Sequence, residues 1–227
     1  MSEKILNPTI HWLGIIIEEP VTSATDFLTS LVCYFSFIML SRIECTAKHC
    51  QLLRLYFLLM ALATTSAAFL GHALQAYISS NFKMSGWCFG ALAICLLELA
   101  SIEIAKNQLK TKTFNFLKIL IFTHLFIFYI LLLFAETRNF NLVKINSSIA
   151  LFGVILPVHV FYYSKTQHSG SKWFIIAIGW SLLPAIMYNA EMSFSRWFNF
   201  HDISHVLMAI YTLILYKGSL KFFTKKL

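Results

Sequence analysis

The chain has 227 residues, of which 58% are hydrophobic and 12% are charged, and its mean hydropathy is +0.71. Soluble domains average about 45–50% apolar and about 25% charged residues, so this composition excludes an ordinary soluble fold. A formal charge of +8 would suggest nucleic acid in a soluble protein, but here the basic residues lie in loops and at the ends of apolar runs. The distribution of such residues between the two sides of a membrane indicates the orientation of the protein. We therefore predict an integral membrane protein with no nucleic-acid partner.

The first twenty residues precede the first long apolar run. They carry one Lys among three acidic residues, they lack a basic n-region, and no small-residue cleavage site follows them. We expect no cleaved signal peptide. Residues 1–20 are interpreted as a segment at the membrane interface.

Seven apolar runs follow, each long enough to cross a bilayer as a helix of about 20 residues. Their bounds are 21–41, 52–79, 86–105, 115–135, 145–164, 173–190 and 201–220. Several runs contain Ser, Thr, Gly and Pro, a composition that favours close helix packing in lipid. The prediction is an all-α membrane protein in which residues 1–227 form a single seven-helix transmembrane domain. The sequence does not indicate an oligomeric state.

The distribution of basic residues predicts the orientation. One side of the membrane receives thirteen of the 18, namely Arg42, Lys48, Arg54, Lys106, Lys110, Lys112, Lys118, Lys165, Lys172, Lys217, Lys221, Lys225 and Lys226. Cytoplasmic loops are enriched in Lys and Arg, so this side is predicted to be cytoplasmic, with the N-terminus outside and the C-terminus inside. Whether the membrane is a bacterial inner membrane or a eukaryotic internal one stays open.

The spacing of the five cysteines is not typical of a disulfide framework. Cys45 and Cys50 fall in a loop assigned to the cytoplasm, while Cys33, Cys88 and Cys95 lie in apolar spans without a CxxC pair. The sequence therefore indicates neither a disulfide framework nor a thiolate metal site.

A histidine pair opens the seventh span. His201 and His205 are four residues apart, so both imidazoles lie on one helical face. A catalytic zinc site needs at least one more protein ligand, and His72 is the best candidate because the second and seventh spans run in opposite directions and place it at a similar depth. The sequence predicts a Zn²⁺ site of His72, His201 and His205 near the outer leaflet. The alternative is that each ring hydrogen-bonds to water or backbone at the interface.

The remaining ionisable residues inside the spans have other interpretations. His124 and His159 are interpreted as hydrogen-bonded packing residues, and His49 and His168 as solvated loop residues. Glu98 lies ~18 Å along the third helix, at 1.5 Å per residue, and thus near the bilayer middle. A carboxylate there is costly unless it is neutral or paired. We expect Glu98 to face the bundle interior, or to act as a base if the site lies deeper.

A zinc hydrolase also needs a group within hydrogen-bond reach of its bound water. Asp26, about one turn inside the first span, is the first candidate for this base. Glu191, at the outer end of the sixth span, is the second. Either residue can instead orient a His ring, bind calcium, or be a solvated carboxylate at the interface. Asp202 is adjacent to His201 but points to another helical face.

Two segments together resemble a known superfamily. One segment carries Ser and His on the second helix, and the other is the HxxxH motif on the seventh. Both resemble motifs of the seven-helix superfamily that includes the alkaline ceramidases and the progestin and adipoQ receptors. The ceramidase branch is the most similar. Its motif reads His-Ala-Trp-Trp-His, here residues 201–205, and an aromatic-rich segment precedes it, here residues 192–200.

The first helix also resembles the ceramidase branch. Its Trp, its acidic residues and its Glu-Phe-x-Asn-Thr segment are similar to Trp12, Glu18, Glu19 and residues 25–30 of this chain. Ceramidases use that region for calcium, so the resemblance implies a Ca²⁺ site near Glu18, Glu19 and Asp26. It further implies a zinc-dependent amide hydrolase whose partner is a membrane lipid, an N-acyl lipid substrate.

This chain departs from the ceramidase pattern at two positions. The family has a Ser four residues before the second-helix His, but that position is Ala68 here, and Thr65 and Ser66 are shifted along the helix. We take Ser66 as the third catalytic candidate. The family also has an Asp near the start of the third helix, whereas residues 83–87 offer no carboxylate. These departures favour the alternative function, a non-catalytic seven-helix protein with a structural or receptor-type zinc site.

Overall fold

The computed structural model describes residues 8–134 and 139–224. Residues 1–7 of the predicted interfacial segment, residue 135 of the fourth predicted span and the basic residues Lys225 and Lys226 lie outside the described part. Within that part, seven helices are long and apolar enough to cross a membrane. They are α1 Pro20–Ser41, α2 Lys48–Ala73, α3 Lys83–Gln108, α4 Thr111–Leu133, α5 Phe140–Thr166, α6 Ser169–Asn189 and α7 Phe200–Phe223. The predicted architecture of seven apolar helices in a multi-pass protein is confirmed, and a short β-hairpin that was not predicted precedes α1.

The second span is shorter than predicted. We expected it to continue to residue 79, but α2 ends at Ala73 and residues 74–77 form turns. Leu74 leaves the helical region, with φ −104° and ψ 17°. Gln75 then directs its side-chain amide toward the carboxylate of Glu19, at 3.1 Å. The helix thus ends within an apolar run, at a point where the chain contacts the segment that precedes α1.

Two helices contain a π-helical segment within the described residues, Ala67–Ala73 in α2 and Ile149–Ile155 in α5. In such a segment each N–H bonds to the carbonyl five residues back, which adds a residue to the turn and changes the face that later side chains occupy. At the end of the first segment, Leu74 N–H donates to the Phe69 carbonyl at 2.9 Å. His72 lies inside this segment.

A β-hairpin precedes α1. Strands β1 Thr9–Trp12 and β2 Ile15–Glu18 pair antiparallel, and the turn between them has positive φ at both central residues, Leu13 and Gly14. Positive φ at both positions is typical of the tight turns that suit a twisted hairpin. The backbone N–H of Ile16 donates to the Tyr77 hydroxyl at 2.7 Å. The hairpin is therefore tied to the end of α2 that carries His72, which we call the His72 end of the bundle.

Helix neighbours determine which side chains meet. α2 packs between α1 and α3, while α7 packs against α1 and α6. The largest buried cluster joins these five helices and includes Tyr56, Phe57, Leu97 and Phe174, all fully buried. α4 is peripheral, and most of its large apolar side chains are exposed on the bundle surface as a lipid-facing helix requires. Because α1 contacts both α2 and α7, polar residues near one end of these three helices can form a common site.

A buried histidine links three helices away from that site. His159 of α5 is fully buried, with Nδ1 at 2.9 Å from the Ser171 hydroxyl and Nε2 at 3.2 Å from the Ser101 hydroxyl. Ser101 donates its own proton to the Leu97 carbonyl, so its oxygen accepts from Nε2–H, and Nδ1 accepts from Ser171. His159 is thus a neutral, hydrogen-bonded packing residue.

The structure contains a disulfide between Cys45 and Cys50, so the expectation of no disulfide was wrong. Cys45 lies in the loop after α1, and Cys50 lies in the first turn of α2. Their Cα atoms are 6.1 Å apart, because α2 begins at Lys48 and its first turn faces back toward the loop. The CxxC motif places two cysteines three positions apart, whereas this disulfide joins cysteines five positions apart across the start of a helix.

Gly218 lets α7 approach α6 closely. A Cβ at this position would lie 2.8 Å from the Phe174 ring and 3.0 Å from Trp173 Cβ. We expect Gly218→Leu to lower stability by at least ~1–3 kcal/mol, the usual cost of overpacking a core. The melting temperature of the detergent-purified protein measures this effect. Gly179→Leu is the matched control, because a Cβ there has no atom within 4 Å; equal melting temperatures of the two variants would contradict the packing.

Candidate metal centre

Three helices bring potential metal ligands together at the His72 end. Asp26 of α1, His72 of α2 and His205 of α7 each offer one ligand atom, and these atoms all lie within 4.8 Å of one another. Asp26 is buried, at 5% exposure, and the two histidines are half-buried. One ion placed among them can contact all three side chains.

The π segment of α2 helps to present His72 to this site. Its extra residue per turn changes the face on which His72 lies relative to a continuous α-helix. The segment is also held by α1, because the Ser23 hydroxyl donates to the Ala68 carbonyl at 2.8 Å. Position 68, where the ceramidases have a serine, therefore contributes a backbone contact. π-Helical turns of this kind are frequent at functional sites.

Glu19 orients the His72 ring. Nδ1 of His72 and Oε2 of Glu19 are 2.5 Å apart, so Nδ1–H donates to the carboxylate and the Nε2 lone pair is free for a metal. The Gln75 side chain donates to the same oxygen at 3.1 Å. A carboxylate behind a metal-binding histidine fixes the tautomer and makes the ring a better ligand.

The backbone of Glu19 is held in an unusual conformation. Its φ of 46° and ψ of 52° are left-handed, a region that is uncommon for residues other than glycine and that is found at functional sites. Burial raises the pKa of Glu19, but the hydrogen bond from His72 and the electrostatic influence of His72, His201 and Lys83 together hold this pKa below its ordinary value. Glu19 is therefore the ionised partner that a metal-binding imidazole requires.

His205 is oriented by threonines of α1. Its Nδ1 lies 3.3 Å from the Thr25 hydroxyl, which donates its own proton to the Thr22 carbonyl at 3.1 Å. The Thr25 oxygen therefore accepts from Nδ1–H, and Nε2 of His205 is free, as in His72. The Thr29 hydroxyl donates to the His205 carbonyl at 3.1 Å and fixes α7 against α1.

The three side chains fit the chemistry of a catalytic metal site. Two neutral imidazoles and one carboxylate are a known ligand set for zinc, and three protein ligands leave a coordination position open. Both histidines engage Nδ1 in a hydrogen bond and leave Nε2 free, which is the arrangement that metal-binding histidines show.

His201 lies beside this group and is not a member of it. Its ring centroid is 6.4 Å from that of His72, and its ring packs against Tyr188 at 5.2 Å and Phe200 at 4.2 Å. The ligand atoms that lie within 4.8 Å of one another are those of Asp26, His72 and His205. The predicted trio of histidines thus differs from the observed group by one member, Asp26.

The other predicted site residues lie apart from this group. Ser66 is half-buried in the last α-helical turn before the π segment, and its neighbour Thr65 pairs with Ser30 at 2.6 Å. Glu191 is exposed just after α6, with a left-handed φ of 50°. Asp202 caps α7, since its carboxylate accepts from the Asn199 N–H at 2.7 Å. The carboxylate of Asp202 thus serves the start of α7, and Asp202 is outside the ligand group.

The predicted calcium ligands are also separated. Glu19 is engaged by His72, and Asp26 belongs to the group with His72 and His205. In the described part of the chain, Glu18, Glu19 and Asp26 do not form a group of ligand atoms close enough to share one ion. The resemblance to the ceramidases implied a calcium role for Glu19, and its contact with His72 was not predicted. The signal that could have found it is its position directly before Pro20, at the same membrane depth as His72.

The helices and this ligand group define a multi-pass membrane protein with a histidine and carboxylate site at one end of a seven-helix bundle. The chain belongs to a family of unknown function, DUF6962, which it matches over residues 21–222. The comparison with curated proteins finds no match, and neither does the comparison with solved structures. The matched range includes Asp26, His72 and His205 and begins two residues after Glu19.

Proposed function

We propose that this protein is a zinc-dependent membrane hydrolase that cleaves the amide bond of an N-acyl lipid. The observation that carries the proposal is the convergence of Asp26, His72 and His205, whose ligand atoms lie within 4.8 Å of one another. The hydrogen bonds of both histidines engage Nδ1, which leaves the Nε2 lone pair available to a metal. The resemblance to the alkaline ceramidases in residues 201–205 suggests the reaction class.

Each residue has a defined task in this proposal. His72 and His205 would hold the metal through a ring nitrogen each, and Asp26 through a carboxylate oxygen. Zinc bound there would supply Lewis acidity toward the amide carbonyl and would lower the pKa of water. Glu19 holds His72 in the required tautomer. His201, whose ring lies 6.4 Å from that of His72, would take a proton from the attacking water and pass it to the departing amine.

A lipid substrate suits the surroundings of the site. Phe27 of α1 and Phe69 of α2 pack edge to face, with ring centroids 5.6 Å apart, and Phe69 is 44% exposed on the bundle surface. An acyl chain lying in the bilayer can contact this apolar surface beside the ligand group. The basic loops at the other end of the bundle support an orientation with the C-terminus in the cytoplasm, which would put the site near the outer leaflet.

A second function is favoured by the departures from the ceramidase pattern. Ala68 cannot hold a water by a side-chain hydroxyl, and residues 83–87 offer no carboxylate. The alternative is a non-catalytic protein whose zinc serves as a structural pin or as part of a receptor. A coordination sphere closed by a fourth protein ligand, for example His201, would be typical of a structural site.

The test is lipid hydrolysis by the zinc-loaded protein in detergent micelles. Ceramides and N-acyl ethanolamines are supplied, and released fatty acid is measured by mass spectrometry before chelation, after chelation and after zinc is returned. We expect release that disappears with the metal and recovers with it. His11→Ala, a change at an exposed histidine of β1, is the matched control and should keep full activity. No fatty acid from any N-acyl lipid, with zinc bound, would favour the non-catalytic function.

A further inference from the structure

A second group of metal-binding atoms lies at the opposite end of the bundle. The sulfurs of Cys45 and Cys50 and one ring nitrogen of His49 all lie within 4.8 Å of one another. The two sulfurs are joined as a disulfide; Cys50 is fully buried, and Cys45 and His49 are half-buried. After reduction the same two sulfurs are thiolate ligands beside an imidazole.

The backbone around Cys45 is fixed independently of the disulfide. The guanidinium of Arg54 donates hydrogen bonds to three carbonyls of the loop, those of Leu40 at 3.2 Å, Ile43 at 2.5 Å and Cys45 at 3.2 Å. Cys50 is held by its own helix, since its N–H donates to the Ala47 carbonyl at 3.0 Å. Because these bonds persist when the S–S bond is broken, the two sulfurs stay close in the reduced protein.

The chemistry of this group favours a thiophilic cation. Zinc binds Cys thiolate and neutral His, and two Cys with one His leave a fourth position for water or another ligand. Cys50 lies in the first turn of α2, where the helix dipole stabilises negative charge on a ligand atom. Lys48, the adjacent cation, is ion-paired with Glu103 at 3.0 Å.

We propose that Cys45, His49 and Cys50 form a redox-gated zinc site. In the reduced protein the two thiolates and His49 bind Zn²⁺. A small-molecule disulfide then oxidises the pair: one thiolate attacks it and displaces a thiolate, and the second protein thiolate attacks the mixed disulfide and displaces the other. The protein S–S bond forms, two small thiols are produced and Zn²⁺ is released. A dithiol reverses the reaction by becoming a disulfide itself.

The proposed site is independent of the candidate metal centre and of the hydrolase function. Its prevailing state depends on the orientation proposed above, which puts this end in the cytoplasm. Thiols are kept reduced there, so the zinc-bound form would be the resting state and the disulfide would mark oxidation. The binding of zinc to the reduced group does not depend on orientation.

The test uses the full-length protein in detergent with His72→Ala and His205→Ala, which empties the other centre. The protein is reduced with a phosphine, freed of reductant under anaerobic conditions and titrated with Co²⁺. We expect about one Co²⁺ per chain with thiolate-to-cobalt charge-transfer absorption, as for a single thiolate site. Zinc should displace the cobalt, and a small-molecule disulfide should abolish the absorption and release the metal.

Single substitutions show which residues bind the cobalt. Cys50→Ser should lose the charge-transfer absorption, whereas Cys88→Ser, a change at a free cysteine of α3, should keep it. His49→Ala should weaken cobalt binding at least tenfold, because even loss of a residue behind a ligand costs about 10–100-fold. If Cys50→Ser does not fold, comparison of the reduced and oxidised parent protein gives the same test. A reduced protein without this absorption, or absorption that persists in Cys50→Ser, would overturn the proposal.

Discussion

Replacing His72 or His205 with Ala is expected to remove the zinc from the purified protein, from about one ion per chain to near none. Each change leaves only two of the three protein ligands, and a catalytic zinc site uses three. Turnover of an N-acyl lipid should fall to background in the same variants. Metal content by mass spectrometry of detergent-purified protein measures the first effect, and fatty acid release measures the second.

The control for this prediction is a histidine at the same end of the bundle. His11 is exposed in β1, so His11→Ala removes one imidazole and should leave the zinc content unchanged. Full retention of zinc in both the His72 and the His205 variant would place the metal elsewhere. A parent protein without metal would identify the histidines as polar residues of the interface and favour the non-enzymatic function. Reduction and blocking of Cys45 and Cys50 beforehand keeps the second proposed site from adding to the count.

We expect Asp26→Asn to lower the zinc content of the protein and His201→Ala to leave it unchanged. Asp26 lies in the ligand group and His201 lies outside it. Asn keeps the size of the Asp side chain but removes its charge, so zinc binding should weaken strongly. His201→Ala should keep its zinc and lose about 10²-fold or more in turnover, the usual contribution of a general acid or base.

Zinc content and fatty acid release measured on the same preparations separate these roles. A loss of zinc from both variants would indicate a site with four protein ligands. It would support the alternative function, in which the zinc has a structural role. Zinc lost in His201→Ala and kept in Asp26→Asn would restore the three-histidine ligand set, with Asp26 as the base. The melting temperature of each variant shows whether a loss of zinc reflects the ligand or the fold.

The sequence predicted the architecture because hydropathy is a strong signal in a membrane chain. Seven apolar runs correspond to seven helices. At most of the helix ends, the predicted and observed bounds differ by a few residues. Depth along antiparallel helices also predicted that His72 and His205 would lie at one end, and Asp26 with them. Neither inference required any knowledge of side-chain direction, because each depends only on length and chain order.

The sequence did not predict which face of a helix each ligand occupies. The π segment of α2 changes one turn of hydrogen bonds and leaves no mark in composition, so the sequence could not show whether Asp26 or His201 joins His72 and His205. The left-handed Glu19 and the disulfide from Cys45 to Cys50 depend on contacts at helix starts. Such contacts are set by tertiary structure and not by local periodicity.

The π segment at Ala67–Ala73 makes the residue count of α2 as important as its chemistry. If the same residues formed an ordinary α-helix instead, the side chains after the extra residue would turn by about 100°. His72 would then face away from Asp26 and Glu19, although the helix would be equally apolar and could still span the bilayer. Deletion of one residue within the segment would compensate for the loss of the wide turn, so an alignment of family members has to compare the number of residues in this segment as well as the histidine itself.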